Sequence, residues 1–384
     1  MKFVDKEKKL RHIVLQGTPY ERGETLGREA GDLVNKNVDY YLSLWNKYSK
    51  VDVNEVRSMA SKFISPIKSY DPEIIEEMKG IADSTSHELE DIIAINARYE
   101  FVYSLMGLMS GKGPLASECA SMGFSPEYTR TGHTIVSQNW DYIVGVENTC
   151  ILFEEIQEPH KPNVLIHAEA GIIGHKGINS EGIGLTVNAL QSSKDKFDPK
   201  VPLWVLARGA LNKRSIGDAM FAIVGYPRSV SGNFMIGQKG GEVFDIELMP
   251  TDYGLISASN GYVVHTNHFT SFSPDAGFDI TKSLAPNSVV RYYRALRKLS
   301  MRDSPGKITH NEIQSIYRDH FNEPNSICKH PDVKVEYDFR ARTIASLILD
   351  LDSLSMYVTN GEPCRNEYNK VQIGTSEISQ MEED

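Results

Sequence analysis

The segment ECASMGFSPEYTRTGHTIVSQNWD, residues 118–141, marks the point at which the chain changes character. Residues 1–118 read almost entirely as helices and loops, whereas short strands and hairpins begin at Cys119. Residues 134–137 read as a strand that runs into the polar segment QNWD, residues 138–141. A cysteine that opens a β region suggests a thiol that becomes a new N-terminus, although such a residue is more often a small core side chain.

Composition limits the classes of function. The 384 residues, 40% of them apolar and 24% charged, are typical of a globular protein with one large or two medium domains. The net charge of −10 argues against a nucleic-acid surface, which needs clustered Lys and Arg. No apolar run approaches the roughly 20 residues of a membrane-spanning helix, and the N-terminal segment lacks the apolar core of a signal peptide. We therefore expect a cytoplasmic protein without nucleic-acid or membrane partners.

Metal and disulfide chemistry is not expected from the spacing of the ligand residues. The four cysteines are scattered and form no CxxC pair: Cys119, Cys150, Cys328 and Cys364. A disulfide framework or a structural zinc site is therefore not predicted, and the last three cysteines are expected to be inert. His265 and His268 lie three residues apart, but their segment reads as strand and loop without a third ligand, so we expect no metal there.

The element pattern predicts an α+β protein. Thr18, Pro19 and Glu21 form a capping box at the start of a long helix. Further helices are predicted over residues 52–64, 72–84, 91–108, 202–225, 286–300 and 309–321. Strands are predicted over residues 134–139, 150–157, 163–169 and 183–188. Hairpins are predicted to join residues 234–238 to 242–248, 255–259 to 262–266, and 343–351 to 355–359. Helices on both sides of many antiparallel strands indicate sheets covered by helical layers.

Two further local features are predicted. Asn260 and Gly261 are predicted to form the tight turn of the second hairpin. The helix over residues 286–300 carries a basic face that we expect to be solvated, formed by Arg291, Arg294, Arg297 and Lys298.

A catalytic cysteine attacks as a thiolate and needs a base or a lowered pKa. Five histidines of the β half are available as that base: His133, His167, His175, His265 and His268. No spacing selects one of them as the partner of Cys119. The alternative base is the α-amine of the nucleophile itself, whose pKa of about 8 suits neutral pH. That solution requires cleavage of the bond between Glu118 and Cys119.

A series of short motifs recurs here in a characteristic order. They are QGTPYERG at 16–23, CAS at 119–121, QNWD at 138–141, EAGIIG at 169–174, GINSEGIG at 177–184, NAL at 188–190, HTNH at 265–268 and SIC at 326–328. In these motifs the chain resembles the acyl-coenzyme A:6-aminopenicillanic acid acyltransferase family, which is peptidase family C45 of the N-terminal nucleophile hydrolases. The resemblance spans nearly the whole chain.

The resemblance implies one N-terminal nucleophile domain over residues 1–384, folded as a four-layer αββα sandwich. It further implies a zymogen in which Cys119 attacks the carbonyl of Glu118. That cleavage would leave an α chain of residues 1–118 and a β chain of residues 119–384, associated as a heterodimer. The freed thiol would then form an acyl thioester.

The resemblance also implies roles for individual residues. Asp141 would hold the α-amine and the incoming amine, and Asn267 would place its side-chain amide in the oxyanion hole. Arg340 would face the substrate, where it would bind a carboxylate. The implied substrates are a small-molecule acyl donor, with acyl-CoA as one possibility, and an amine acceptor, and no cofactor is implied.

The chain departs from the family at positions near this site. Family members often have Gly before the nucleophile, where this chain has Glu118, and Ala120 replaces a hydroxyl residue. Phe339 stands where a serine is familiar. We expect an acyltransferase or an amide hydrolase acting on C–N bonds other than ordinary peptide bonds, and transferase and hydrolase share every catalytic residue. The alternative is a binding protein that keeps the fold without catalysis.

Overall fold

The computed structural model describes residues 10–105, 118–271, 279–301, 307–375 and 379–380. The helices are α1 (Pro19–Ser49), α2 (Val53–Ala60), α3 (Ile64–Tyr70), α4 (Pro72–Asp83), α5 (Leu89–Asn96), α6 (Arg98–Leu105), α7 (Leu203–Leu211), α8 (Ile216–Val224), α9 (Ile280–Leu284), α10 (Asn287–Ser300) and α11 (His310–Tyr317). The strands are β1 (Arg11–Leu15), β2 (Glu118–Phe124), β3 (Ile135–Ile143), β4 (Cys150–Glu155), β5 (Val164–Glu169), β6 (Lys176–Asn179), β7 (Ile183–Ala189), β8 (Gly232–Gln238), β9 (Val243–Leu248), β10 (Tyr253–Ser257), β11 (Tyr262–His265), β12 (Ala341–Asp350), β13 (Ser355–Val358), β14 (Asn369–Gln372) and β15 (Ser379–Gln380).

The predicted start of α1 is confirmed. The Thr18 side chain accepts a hydrogen bond from the amide of Glu21, and the Glu21 carboxylate accepts one from the amide of Thr18 at 2.8 Å. Two predicted helices, over residues 91–108 and 202–225, are each broken in the structure. The first divides at Ala97 into α5 and α6, and the second divides between α7 and α8.

The strands form two sheets. The eight-stranded sheet has the order β1-β4-β5-β6-β7-β8-β9-β10, and the seven-stranded sheet has the order β11-β2-β3-β12-β13-β14-β15. The β1–β4 pair is parallel, whereas the other described pairs are antiparallel. Strand β1 lies in the N-terminal region, where the sequence predicted helices and loops alone. It lies at the edge of the eight-stranded sheet, where it pairs with β4, a strand far along the chain.

The two sheets pack face to face between helical layers. Strands β2 and β3 of the seven-stranded sheet contact β7 and β8 of the other sheet. Helices α1, α7 and α8 cover the outer face of the eight-stranded sheet, and α10 packs on β2 and β11 from the opposite side. The predicted α+β fold, a four-layer αββα sandwich, is confirmed.

Alternating residues of β2 face the two sides of its sheet, as expected for a strand. Ala120, Met122 and Phe124 join a core cluster with α10 and α11. Cys119 belongs instead to the larger core between the sheets. The nucleophile candidate therefore faces the centre of the sandwich.

The predicted hairpin around Asn260 and Gly261 is wrong. Strand β10 pairs with β9 in the eight-stranded sheet, whereas β11 pairs with β2 in the other sheet. The turn itself forms, with a positive φ of 82° at Gly261. It carries the chain from one sheet to the other, since its flanking strands pair with β9 and β2 and not with each other. Within the described residues no helix combines the length and apolar character that a membrane crossing requires.

Candidate active site

Cys119 lies at the second position of β2, beside the QNWD strand β3. The strand register places Glu118 opposite Asp141 and Cys119 opposite Trp140. Cys119 is only 1% exposed. The two segments that the sequence analysis singled out are therefore adjacent strands, and the peptide bond between Glu118 and Cys119 lies within their ladder.

Asn267 holds the backbone amide of Cys119. Its Oδ1 accepts a hydrogen bond from the Cys119 amide at 2.7 Å, while its Nδ2 donates to the carbonyl of Ala189 at 3.0 Å. The Asn267 amide in turn donates to Ser288 Oγ at 2.8 Å. Asn267 thus contacts the candidate nucleophile directly through its oxygen. Its implied role as an oxyanion donor stays a prediction.

Asn188 forms hydrogen bonds that hold the segment carrying Asn267 in place. Asn188 Oδ1 accepts hydrogen bonds from Gln138 Nε2 at 2.7 Å and from Ser121 Oγ at 2.5 Å. Asn188 Nδ2 donates to the carbonyl of Thr266 at 2.8 Å. This buried amide connects β7 of one sheet to β2 and β3 of the other. The NAL motif is accordingly part of the scaffold that positions Asn267.

Arg291 of α10 reaches the same peptide, and the prediction that it belongs to a solvated helix face is wrong. It is 1% exposed, and its Nη1 donates to the carbonyl of Cys119 at 2.5 Å. Its Nη2 donates to Asn267 Oδ1 at 2.9 Å. Helical spacing offered a signal for this burial, because Arg291 shares one stripe of α10 with the buried Ser288, Ala295 and Leu299.

The Glu118 side chain is held by three buried or half-buried polar groups. Its carboxylate lies 3.2 Å from Lys329 Nζ and 3.3 Å from Arg291 Nη2, and it accepts a 2.7 Å hydrogen bond from Asn287. Burial opposes ionisation, but Lys329 and Arg291 outweigh it and lower the pKa of Glu118 below its ordinary value. Sequence reasoning missed Lys329 and Asn287, which follow from contacts between distant segments.

Asp141 is a buried carboxyl with one free oxygen. Thr343 Oγ1 donates to its Oδ1 at 2.7 Å, whereas its Oδ2 has no hydrogen-bond partner among the residues described. Burial raises the pKa of Asp141 to about 7, against the nearby charges of Arg291 and Lys329. Burial, and then the negative charge of Asp141, raise the pKa of the Cys119 thiol to about 12. The resting thiol is therefore protonated and lies near a carboxyl that titrates at neutral pH.

The histidines considered as bases are engaged elsewhere. Ring contacts join His133 to Asp350, His175 to Lys176, His265 to Glu247 and His268 to Ser288, and His167 packs edge-on against Trp140. None of these five forms a hydrogen bond with Cys119 in the part of the chain that the structure describes. This arrangement favours a base other than histidine.

A cavity of about 370 Å³ opens beside Glu118, with Lys329, Phe339 and Arg340 among its lining residues. Arg340 donates to the carbonyls of Val335 at 2.8 Å and Val333 at 3.0 Å, within its own loop. The structure therefore brings Arg340 to the same cavity as the predicted cleavage site. Its contact with substrate stays a prediction.

Comparison with known proteins identifies the family. The family model described as "Acyl-coenzyme A:6-aminopenicillanic acid acyl-transferase" matches residues 129–365, more than half of the chain. The 40 kDa form of acyl-coenzyme A:6-aminopenicillanic-acid-acyltransferase from Emericella nidulans is 27% identical over 355 residues, which cover 92% of this chain and 93% of that protein.

Two solved structures are similar in part. A mutant of the conjugated bile acid hydrolase from Clostridium perfringens is 16% identical, with a TM-score of 0.43, covering 69% of this chain and 97% of that chain. Penicillin V acylase from Agrobacterium tumefaciens is 12% identical, with a TM-score of 0.44, covering 66% of this chain and 86% of that chain. The family match and the motif order agree, and this chain belongs to the acyl-coenzyme A:6-aminopenicillanic acid acyltransferase family.

Proposed function

We propose that the protein cleaves its own Glu118–Cys119 bond and then transfers acyl groups through a thioester on Cys119. The observation that carries this proposal is the environment of that one peptide. Asn267 and Arg291 hold the backbone of Cys119 on both sides of its Cα, and the Asp141 carboxyl lies opposite on β3. Such fixed hydrogen-bond donors and acceptors around one bond are what a preorganised reaction centre requires.

In the first step Cys119 Sγ attacks the carbonyl carbon of Glu118. The C–S bond forms first and gives a tetrahedral intermediate. The C–N bond to Cys119 then breaks as the nitrogen receives the thiol proton by way of Asp141 and leaves as the α-amine. Because the pKa of the thiol is about 12 and that of Asp141 about 7, proton transfer to Asp141 accompanies C–S bond formation instead of preceding it. Water then hydrolyses the thioester and leaves Glu118 as a C-terminal carboxylate.

In each later turnover the freed α-amine of Cys119 is the base. Its ordinary pKa of about 8 lets it accept the thiol proton at neutral pH. The thiolate attacks an acyl donor, and an amine or water then takes the acyl group from sulfur. Asp141 would position that amine, and Asn267 would stabilise the tetrahedral anion. Both acyl transfer and amide hydrolysis on non-peptide C–N bonds fit this scheme.

The Glu118 contacts point to the acyl group of the substrate. Glu118 is the acyl side of the bond that is cut, and its carboxylate already lies against Lys329, Arg291 and Asn287. A donor whose acyl chain ends in a carboxylate would satisfy the same groups once Glu118 withdraws. Asn287→Ala and Lys329→Met should therefore raise KM for carboxylate-bearing donors more than for their neutral analogues. Equal changes on both would count against this assignment.

The acceptor half of the substrate is assigned to Arg340 and Phe339. The name of the Emericella nidulans relative gives an acyl-coenzyme A as its donor and 6-aminopenicillanic acid as its acceptor. Phe339 lines the cavity with a large apolar ring, which also packs against Tyr48 with ring centroids 4.7 Å apart. We propose a small amino-acid-like amine, bound by Arg340 through its carboxylate, in preference to the penicillin nucleus. Arg340→Lys should raise KM for that amine more than for its amide, since Lys lacks the planar fork.

Intact-mass spectrometry of the full chain tests the central step. The wild type should give two fragments divided before Cys119, whereas Cys119→Ala should remain one chain of about 43 kDa. Cys150→Ala, which removes another buried thiol, is the matched control and should still be cut. A wild-type chain that stays intact and is fully active would exclude the α-amine as the base.

The rival function is a binding protein that keeps the fold without catalysis. The fully buried thiol and the satisfied charge of Glu118 favour it, because both stabilise the uncut chain. An intact wild-type chain that forms no thioester with acyl-CoA or activated amides would support this alternative.

A further inference from the structure

Four metal-ligating side chains converge at one point that the proposed reaction does not use. The imidazole nitrogens of His320 and His330 and the sulfurs of Cys328 and Cys364 all lie within 4.8 Å of one another. His320, Cys328 and His330 lie in the loop after α11, and Cys364 lies after β13. Cys328 and His330 are buried, whereas His320 is exposed.

The distances centre on His330 Nε2. It lies 3.1 Å from His320 Nε2, 3.5 Å from Cys364 Sγ and 3.8 Å from Cys328 Sγ. One ring nitrogen carries at most one hydrogen or one lone pair, so it cannot satisfy three partners by hydrogen bonding. A tetrahedral zinc ion, with bonds of about 2.0–2.1 Å to nitrogen and 2.3 Å to sulfur, holds its ligand atoms at about these separations.

The other nitrogen of His330 faces a carboxylate, the kind of group that zinc-binding histidines usually contact. His330 Nδ1 lies 3.4 Å from Oε1 of the buried Glu362. The two atoms form no hydrogen bond as they stand, and a small rotation of the ring toward this carboxylate would fix its orientation and leave Nε2 to a metal.

We propose that His320, Cys328, His330 and Cys364 bind one structural zinc ion. Two thiolates and two imidazoles complete a closed tetrahedral set that leaves no position for a substrate. The spacing conceals the site, because the ligands are separated by 10, 2 and 34 residues from His330. This proposal replaces the prediction, made from the spacing of the cysteines, that the chain has no structural zinc site.

The ion would fix a loop that serves the reaction centre. Lys329 lies between the two ligands Cys328 and His330, and its ammonium contacts Glu118 at 3.2 Å. The Lys329 amide donates to Thr343 Oγ1 at 2.9 Å, and Thr343 donates to Asp141. Zinc binding would therefore hold Lys329 and Thr343 in register with Glu118 and Asp141, although the proposal does not depend on what reaction occurs there.

Metal analysis of the full chain tests the proposal. Protein produced with added zinc and purified without chelators should contain one zinc per chain, measured by inductively coupled plasma mass spectrometry. The Cys328→Ala/Cys364→Ala variant should lose this zinc, and Cys150→Ala should keep it. His320→Ala, which changes an exposed side chain, should fold and bind zinc more weakly, which covers the case in which the cysteine variant does not fold.

Cobalt substitution reports on the ligands. Cobalt bound to the wild type should show sulfur-to-metal charge-transfer absorption together with tetrahedral d–d bands, and both should vanish in the cysteine variant. A chelator should lower the melting temperature of the wild type and expose Cys328 and Cys364 to thiol reagents. A wild-type chain that takes up neither zinc nor cobalt stoichiometrically would overturn the proposal, as would a Cys328–Cys364 disulfide found by the loss of two hydrogens in the intact mass.

Discussion

The raised pKa of Asp141 predicts a pH dependence for self-cleavage. Burial raises the pKa of its carboxyl to about 7, and only the ionised form accepts the thiol proton. We expect the rate of self-cleavage to rise with pH, with a midpoint near pH 7, when refolded precursor is followed on denaturing gels. Asp141→Asn should be slow at every pH. A wild-type rate that does not change between pH 5 and 9 would remove Asp141 from this role.

The same pKa has a consequence for stability with a defined sign. Between its ordinary value of 3.8 and about 7, folded Asp141 keeps a proton that the unfolded chain has lost. The folded state binds more protons in this window, so this group's contribution to the free energy of unfolding falls as the pH rises. Urea unfolding of Cys119→Ala and Cys119→Ala/Asp141→Asn should show that the stability of the double variant falls less, or rises more, as the pH increases from about 4 to 7. Equal slopes would contradict the assignment.

Asn267 offers a second prediction for a single residue. Asn267→Ala should keep part of its self-cleavage but lose about 10²- to 10³-fold in kcat, the usual loss for one oxyanion donor. The change should appear in kcat more than in KM, measured with the same acyl donor. Near-normal turnover would leave Asn267 only its observed contact with the amide of Cys119.

At the scale of elements, the face-to-face packing of the sheets depends on a strand position without a side chain. A Cβ added at Gly123 of β2 would lie 2.4 Å from Val243 Cγ1 in the opposite sheet. Gly123→Ala should therefore lower the free energy of unfolding by about 1–3 kcal/mol through overpacking, measured by urea unfolding.

Gly217 of α8 is the matched control for this prediction. It has open space at its Cβ position and an ordinary φ, so Gly217→Ala should be neutral or stabilise by about 0.4–1 kcal/mol. Equal effects of the two substitutions would show that the sheets do not meet closely at Gly123.

Helices and turns could be predicted from the sequence where nearby residues determine them. The capping box of Thr18 and Glu21 begins α1, and Gly240 turns the hairpin between β8 and β9 with a φ of 71°. The pairing of strands could not be predicted from the sequence in the same way. The Asn260–Gly261 turn forms as predicted, but its two flanking strands join different sheets, because pairing depends on residues far along the chain.

At the scale of the whole molecule, the two halves share buried charges as well as one core. Arg22 contacts Glu155 at 2.8 Å, Arg98 contacts Glu169 at 2.6 Å, and Glu77 pairs with Arg208. We expect the fragments 1–118 and 119–384 to elute together in native size-exclusion chromatography and to separate under denaturing conditions. Separation without denaturant would contradict this prediction of a stable heterodimer.

The buried pair of Arg98 and Glu169 should make a large contribution to the free energy of unfolding. Both side chains are fully buried, so Arg98→Met would leave the Glu169 carboxylate without its counter-charge, with the hydrogen bond from Tyr41 remaining, and should destabilise the protein by about 3–5 kcal/mol. Arg11→Met removes an exposed pair with Asp32 and should cost less than about 1 kcal/mol. Thermal or urea unfolding of both variants would measure the difference.

The sequence by itself determined the fold class, the family and the candidate residues Cys119, Asp141 and Asn267. The fold class rests on local signals such as helix caps and turn dipeptides, whereas the family and the roles of Asp141 and Asn267 rest on the resemblance that the order of the motifs carries. Only the tertiary structure decided that Arg291 is buried against Cys119 and that Lys329 meets Glu118. The physical reason is that the burial of a charge and the convergence of ligands depend on which distant segments pack together, and no local spacing encodes that packing.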